Sequence, residues 1–212
     1  MRVKKTLAAI LAAVMTVSAG LSAVAATPSP NTAPAAAESE DVNTGDHTGN
    51  TVTATVKDGK ATVTKVTGKG DGAEVVNLKV ARNSANEAVD ITVIGDGKKG
   101  VFDSKAGRKV TTLKVSSKAN VTVKKNAFKG SKVKTIKVKS KKVTINKNAF
   151  NGTKAKKITL NYQTKKASSL VLKKGALKGV TKVTVKGLNA KQYKKAVKAL
   201  KAAGFTGTIK KG

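Results

Sequence analysis

The chain is 212 residues long, with no Cys, no Trp, one His, and 43 Lys plus Arg against 11 Asp plus Glu, a formal net charge of +32 at pH 7. Without Cys there is no disulfide framework, no thiolate metal site and no lipid-modified Cys. All the acids lie at or before Asp103, balanced there by 11 bases, whereas residues 104–212 carry 32 bases and no acid. A half-chain without its own counter-charge points to polyanions as partners: nucleic acid, anionic lipid, or acidic cell-wall and matrix polymers.

In chain order, Met1–Lys5 (MRVKK) is a positive n-region, and the apolar run after it ends in Ala23-Val24-Ala25, a small-x-small cleavage signal. Residues 1–25 therefore resemble a secretory signal peptide, and the expected location is secreted, extracellular or cell-wall associated. An uncleaved anchor is the alternative, because the run approaches the ~20 residues that span a bilayer. Nothing downstream resembles a second span or a sorting signal, so attachment to a surface is expected to be non-covalent.

Residues 26–50 hold all three prolines, small polar residues and four acids, which reads as a disordered linker. His47 lies in it, and a lone imidazole in a flexible segment is no metal site. Across 51–94, Val52/Ala54/Val56, a KDGK turn, Ala61/Val63 and Val76/Leu78/Val80 alternate with period two, predicting an N-terminal cap of antiparallel strands. Ile91 and Val93 carry that alternation onward.

Gly95–Gly100 reads GDGKKG, a literal G-x-G-x-x-G after a strand. A dinucleotide site needs a helix there, an acid about 20 residues on and a βαβ unit. No acid follows Asp103, so the segment is expected to be a glycine-rich turn.

Next comes a repeat. VTVKKNAFKG (121–130), VTINKNAFNG (143–152) and LVLKKGALKG (170–179) align without a gap, and GVFDSKAGRKVTTLKV is an earlier, degenerate copy. Each is followed by an apolar triplet: Val110/Leu113/Val115, Val133/Ile136/Val138, Ala155/Ile158/Leu160 and Val180/Val183/Val185. The triplets start 23, 22 and 25 residues apart, a leucine-rich-repeat-like period. One such unit cannot bury its apolar face alone, and stacked units can. Phe102, Phe128, Phe150 and Leu177 are expected to form one buried column, followed by turns at Gly130, Gly152 and Gly179, where a residue without Cβ tolerates positive φ.

The pattern NAFxG…VxxIxV…VxxI over about residues 87–188 resembles the BspA-like leucine-rich repeats of bacterial surface proteins, especially lysine-rich secreted forms. The resemblance implies a mainly β fold, a short right-handed leucine-rich-repeat solenoid over 95–188. It also implies an adhesin-like role in protein recognition, with changes at Thr159, Asn161 or Tyr162 expected to matter. The sequence departs from the family where Ser131, Thr153 and Val180 replace a common Cys and Ala155 is undersized. At 189–212, Asn189 is placed to N-cap a helix with Tyr193, Val197 and Leu200 on one face and Gly204 past its end, followed by a short strand: a C-terminal helix-strand cap.

Catalytic chemistry is poorly supplied. The acids Asp58, Asp71, Glu74, Glu87, Asp90, Asp96 and Asp103 cluster in or beside the front cap and suit surface turns, and no Ser or Thr has a His partner. Neither an enzyme nor a cofactor or metal is expected. Asn120-Val121-Thr122 and Asn151-Gly152-Thr153 match glycosylation sequons, which matter only in a eukaryotic secretory pathway.

The lysines remain. Strand side chains alternate faces, so Lys114, Lys137, Lys139, Lys157, Lys182 and Lys186 are expected to point outward as a partner-binding strip. Strands about 4.8 Å apart bring such charges within the ~8 Å screening length, and a polyanion lying along them relieves the repulsion. With 40 Lys against 3 Arg, attraction is expected to be charge-driven and of low specificity. The expected partner is an anionic envelope polymer or a host surface protein or glycan. Specific nucleic-acid binding fits the charge but not the export signal or the scarcity of aromatic platforms.

Overall fold

The computed structural model describes residues 40–45, 50–67, 74–162 and 170–212. The expected signal segment, most of the expected linker, His47 and Asp71 lie outside them. No helix among the described residues is long and apolar enough to cross a membrane.

The chain is mainly β. Its elements are β1 (Glu40–Gly45), β2 (Thr51–Lys57), β3 (Lys60–Thr67), β4 (Glu74–Leu78), β5 (Val80–Arg82), β6 (Ala88–Ile94), a 3-10 turn at Gly107–Lys109, β7 (Val110–Ser116), β8 (Val121–Val123), β9 (Thr135–Lys139), β10 (Val143–Ile145), β11 (Lys157–Tyr162), β12 (Leu170–Leu172), β13 (Lys182–Lys186), helix α1 (Ala190–Ala202) and β14 (Thr208–Lys211). From β3 onward the chain alternates between two sheets. The first runs β1-β2-β3-β6-β8-β10-β12, antiparallel up to β3 and parallel beyond it, with β5 antiparallel on part of β6. The second, β4-β7-β9-β11-β13-β14, is parallel throughout.

Alternate residues of both sheets enter one shared apolar core, as period-two patterning requires. Between a first-sheet strand and the next second-sheet strand, each pass turns through the NAF motif. Phe102, Phe128 and Phe150 are fully buried there and stack, with ring centroids 5.6 and 4.3 Å apart, and Leu177 is buried in the next copy. The turn glycines Gly130, Gly152 and Gly179 have φ of 73°, 69° and 93°. The Asn of the motif has the same requirement: Asn126 and Asn148 sit at φ 61° and 59°, and Gly175 takes that place in the third copy at 72°. Asn is the side chain that tolerates this left-handed conformation best, which accounts for Asn or Gly at this position.

The turns are themselves hydrogen-bonded from pass to pass. The Asn126 N–H donates to the Asn148 carbonyl (3.1 Å), Asn148 to Gly175 (3.0 Å) and Gly175 to Ala203 (2.7 Å). That last bond carries the turn ladder on to the residue after α1, although the left-handed position there is Gly204 (φ 78°) and Ala203 has φ −77°. β14 then adds a last parallel strand to the second sheet, with α1 between it and β13. The helix starts as expected at Asn189, and Gln192 completes a capping box: Gln192 N–H donates to Asn189 Oδ1 (2.9 Å) and Asn189 N–H to Gln192 Oε1 (3.2 Å). Ala196 and Leu200 are its buried face, with Tyr193 and Val197 only half-buried.

After the turn glycines, Ser131 and Thr153 are buried and satisfied by one another's pass. Thr153 Oγ1 donates to the Ser131 carbonyl (3.0 Å) and accepts from the Ala155 N–H (3.2 Å). Buried hydroxyls are therefore tolerated at this step without an orphaned polar group.

Three expectations change. Val76 and Leu78 do not belong to an antiparallel cap: β4 pairs in parallel with β7, and Val80 stands apart on β5, 42 % exposed. Alternation reports which side chains face inward and carries no information on strand direction. Glu40–Gly45, expected within the linker, is a strand, because the outer edge of β2 offers backbone partners to a sequence with almost nothing to bury. The triplet alignment slips by two residues between β9 and β11, where Ile136 pairs with Leu160 and Val138 with Tyr162. A two-residue slip leaves every side chain on its own face, so periodicity could not reveal it.

Truncating the stacked ring, Phe150→Ala, is expected to cost about 3–5 kcal/mol in a denaturant titration, and Phe150→Leu, the side-chain type found at 177, about 1–1.5 kcal/mol. Asn148→Gly is expected to be near neutral and Asn148→Ala to lose about 1 kcal/mol, measured as the shift in unfolding midpoint.

Candidate polyanion-binding surface

The outer face of the second sheet is ordered by its register. One cross-strand row reads Val75, Thr112, Thr135, Thr159, Thr184 and Lys210, and the next reads Asn77, Lys114, Lys137, Asn161 and Lys186. Two residues earlier along the strands Lys157 stands beside Lys182, and Lys182 beside Thr208; two residues later Lys139 stands beside Ser116.

The six lysines named from the sequence all lie on this sheet with none in the core, Lys139, Lys157 and Lys186 being exposed and Lys114, Lys137 and Lys182 half-buried. They do not form one unbroken strip. The two-residue slip at β11 puts Asn161, not a lysine, between Lys137 and Lys186. The lysines fall instead into two adjacent pairs, Lys114 with Lys137 and Lys157 with Lys182, flanking the hydroxyl row. Half-burial of Lys114, Lys137 and Lys182 fits stems lying along the sheet with their ammonium ends in water.

The threonine row was not anticipated as a unit, because its members occupy different places in the sequence repeat and only the register lines them up. Thr112, Thr135, Thr159 and Thr184 are all half-buried. Their β-branched stems suit a pleated surface, and their hydroxyls leave a row of donors and acceptors between the ammonium pairs. Tyr162 is removed from the set of recognition residues: it is 4 % exposed, and burial pushes its phenol above its ordinary pKa.

Acids are nearly absent from this surface, Glu74 at the start of β4 being the only one in the six strands. Of those described elsewhere, three serve turns: Asp58 at φ 50° in the β2–β3 turn, Glu87 bonded to Asn83 before β6, and Asp96 accepting from the Lys98 and Lys99 N–H groups (2.7 and 3.2 Å); Asp90, expected in a turn, lies instead within β6, paired with Val80, and Glu40 and Asp41 lie within β1. The GDGKKG segment is accordingly a turn that leads into no helix. No group of three or more His, Asp or Glu able to hold a metal occurs among the described residues.

Like charges on neighbouring strands oppose the fold unless screened. Raising ionic strength from low to physiological is expected to raise Tm by about 2–4 °C, the equivalent of ~1 kcal/mol in a chain this size, measured by calorimetry in a non-binding salt. An unchanged or falling Tm contradicts the crowding.

Comparison with family models, with curated proteins and with solved structures finds no match.

Proposed function

We propose that the chain is a secreted, non-enzymatic surface-interaction protein that binds anionic polymers through the outer face of its second sheet. In this reading the two sheets are walls of a short right-handed solenoid resembling BspA-like leucine-rich repeats, closed in front by the β1–β3 strands and behind by α1 and β14. Residues 1–25 export it, and it is held non-covalently at an envelope or host surface.

The observation that carries the reading is the register that sets Lys114 beside Lys137 and Lys157 beside Lys182 on a sheet with almost no acid. Neighbouring ammonium groups hold counterions, and an extended polyanion releases them on binding, so affinity falls linearly in log–log plots against salt. Lysine acts as a point charge, which favours attraction over discrimination between anions.

A second reading, adhesin-like recognition of a protein partner, is favoured by the hydroxyl row and Asn161. It predicts that Thr159→Val and Asn161→Ala weaken binding more than loss of single lysines. Nucleic-acid binding stands third, since the stacked phenylalanines are buried and offer no platform to a base.

Two measurements test the first reading. In producing cells fractionated over a salt ladder, the protein is expected to leave the envelope fraction at moderate ionic strength; retention in molar salt contradicts it. On an immobilised polyglutamate column, the variant K114Q/K137Q/K157Q/K182Q is expected to elute at clearly lower salt than the parent, with a salt slope smaller by up to about 3. Identical elution sinks the assignment of this face.

A further inference from the structure

A second group of lysines lies away from the second sheet, where the first-sheet strands β8, β10 and β12 run into their turns. Lys125, Asn146, Lys147, Asn148 and Lys173 line a shallow cleft of about 440 Å³ there. Three neighbouring passes contribute to it, because β10 pairs with β8 on one side and β12 on the other.

The cleft is equipped for an anion. Its three ammonium groups pair with no carboxylate among the described residues, and none of the acids lies beyond Asp103. Asn146 and Asn148 are half-buried, yet neither amide side chain hydrogen-bonds to another protein group among the described residues. Their backbones are committed: the Asn146 N–H donates to Val123 O (3.0 Å), the Asn148 N–H to Gly175 O (3.0 Å), and Asn148 O accepts from Asn126 N–H (3.1 Å). Rigid main chain thus presents two free amides beside three cations.

The third copy leaves the space open. Gly175 replaces the motif's Asn, and a Cβ there would lie 3.6 Å from Lys147 Cγ and 3.8 Å from Asn148 Oδ1. A side chain at 175 would cover both, and its absence uncovers them.

We propose that this cleft is a binding site for a phosphoryl group. A phosphate carries close to two negative charges and three strong acceptor oxygens, which suits three point charges and two amide donors better than a flat monovalent carboxylate does. The inference is independent of the second-sheet face, since it uses none of that face's residues.

The test is calorimetric titration of the full chain with inorganic phosphate, phenyl phosphate and acetate at matched ionic strength. Phosphate is expected to bind at one site. Lys147→Gln and Asn148→Gly should each weaken it about tenfold, whereas Lys137→Gln on the second sheet leaves it unchanged. Asn148→Gly keeps the left-handed backbone, as Gly175 does naturally, so an unaltered Tm separates loss of the amide from loss of fold. Equal affinity for phenyl phosphate identifies a phosphorylated ligand as the source, and its exclusion identifies free phosphate. Equal weakening by Lys137→Gln and Lys147→Gln, or acetate competing at the same concentration, overturns the proposal. Polyglutamate binding by the second sheet is read separately, so either reading can fail without the other.

Discussion

Each pass of this chain must pair with its neighbours in two parallel sheets and at the turn between them, all at once. The three sets of backbone hydrogen bonds share one segment of chain, so a shift in one has to be absorbed before the next begins. The β9–β11 step shows how: pairing moves by two residues and the faces are preserved, so Leu160 and Tyr162 enter the core where Ile158 and Leu160 were expected to pair. A one-residue shift would have turned Thr159 and Asn161 inward and left two polar groups to satisfy in an apolar core. Variation in length between copies falls instead in the connections outside the strands.

The same constraint organises the charge. Along the chain, lysine occurs nearly everywhere after residue 104, and local sequence does not distinguish one from another. Parallel pairing at about 4.8 Å turns some of them into neighbours and separates others. Lys114 and Lys137 become adjacent although 23 residues apart in sequence, and Lys186 is set apart from Lys137 by Asn161. The hydroxyl row is a product of the same alignment. Crowding of this kind is unfavourable for the isolated protein and favourable for one with an anionic partner, the physical content of the proposed role. The basic surface is also not a single feature: the cleft at Lys125, Lys147 and Lys173 belongs to the corner beyond the first sheet and sets the amides of Asn146 and Asn148 beside its lysines.

Much of the core was legible in the sequence because burial follows short-range pattern. Phe102, Phe128, Phe150 and Leu177, the turn glycines, the burial of the triplets and the Asn189 cap all depend on residue type at fixed offsets, and each is as that pattern has it, the pairing of the triplets at β11 excepted. The left-handed Asn126 and Asn148 were legible in principle, since the shared Asn of NAF aligns with a Gly in the third copy. Parallel pairing of β4 was not, because Val76 and Leu78 alternate in the same way in either direction. Nor was the bond from Gly175 to Ala203 readable, because α1 separates that residue from the motif in sequence.

Residue order alone fixed most of the inward set, Val80 and Val93 being exceptions that are exposed and half-buried, and showed that the second half of the chain has no counter-charge of its own. These are properties of composition and of a period-two backbone, and neighbours along the chain suffice to express them. Which outward residues stand beside one another came from the folded chain: the two lysine pairs, the threonine row, Asn161 between Lys137 and Lys186, and the cleft lined by Lys125, Lys147 and Lys173. Those adjacencies rest on cross-strand register between segments more than 20 residues apart, selected by backbone pairing of whole passes, to which the outward side chains are nearly indifferent.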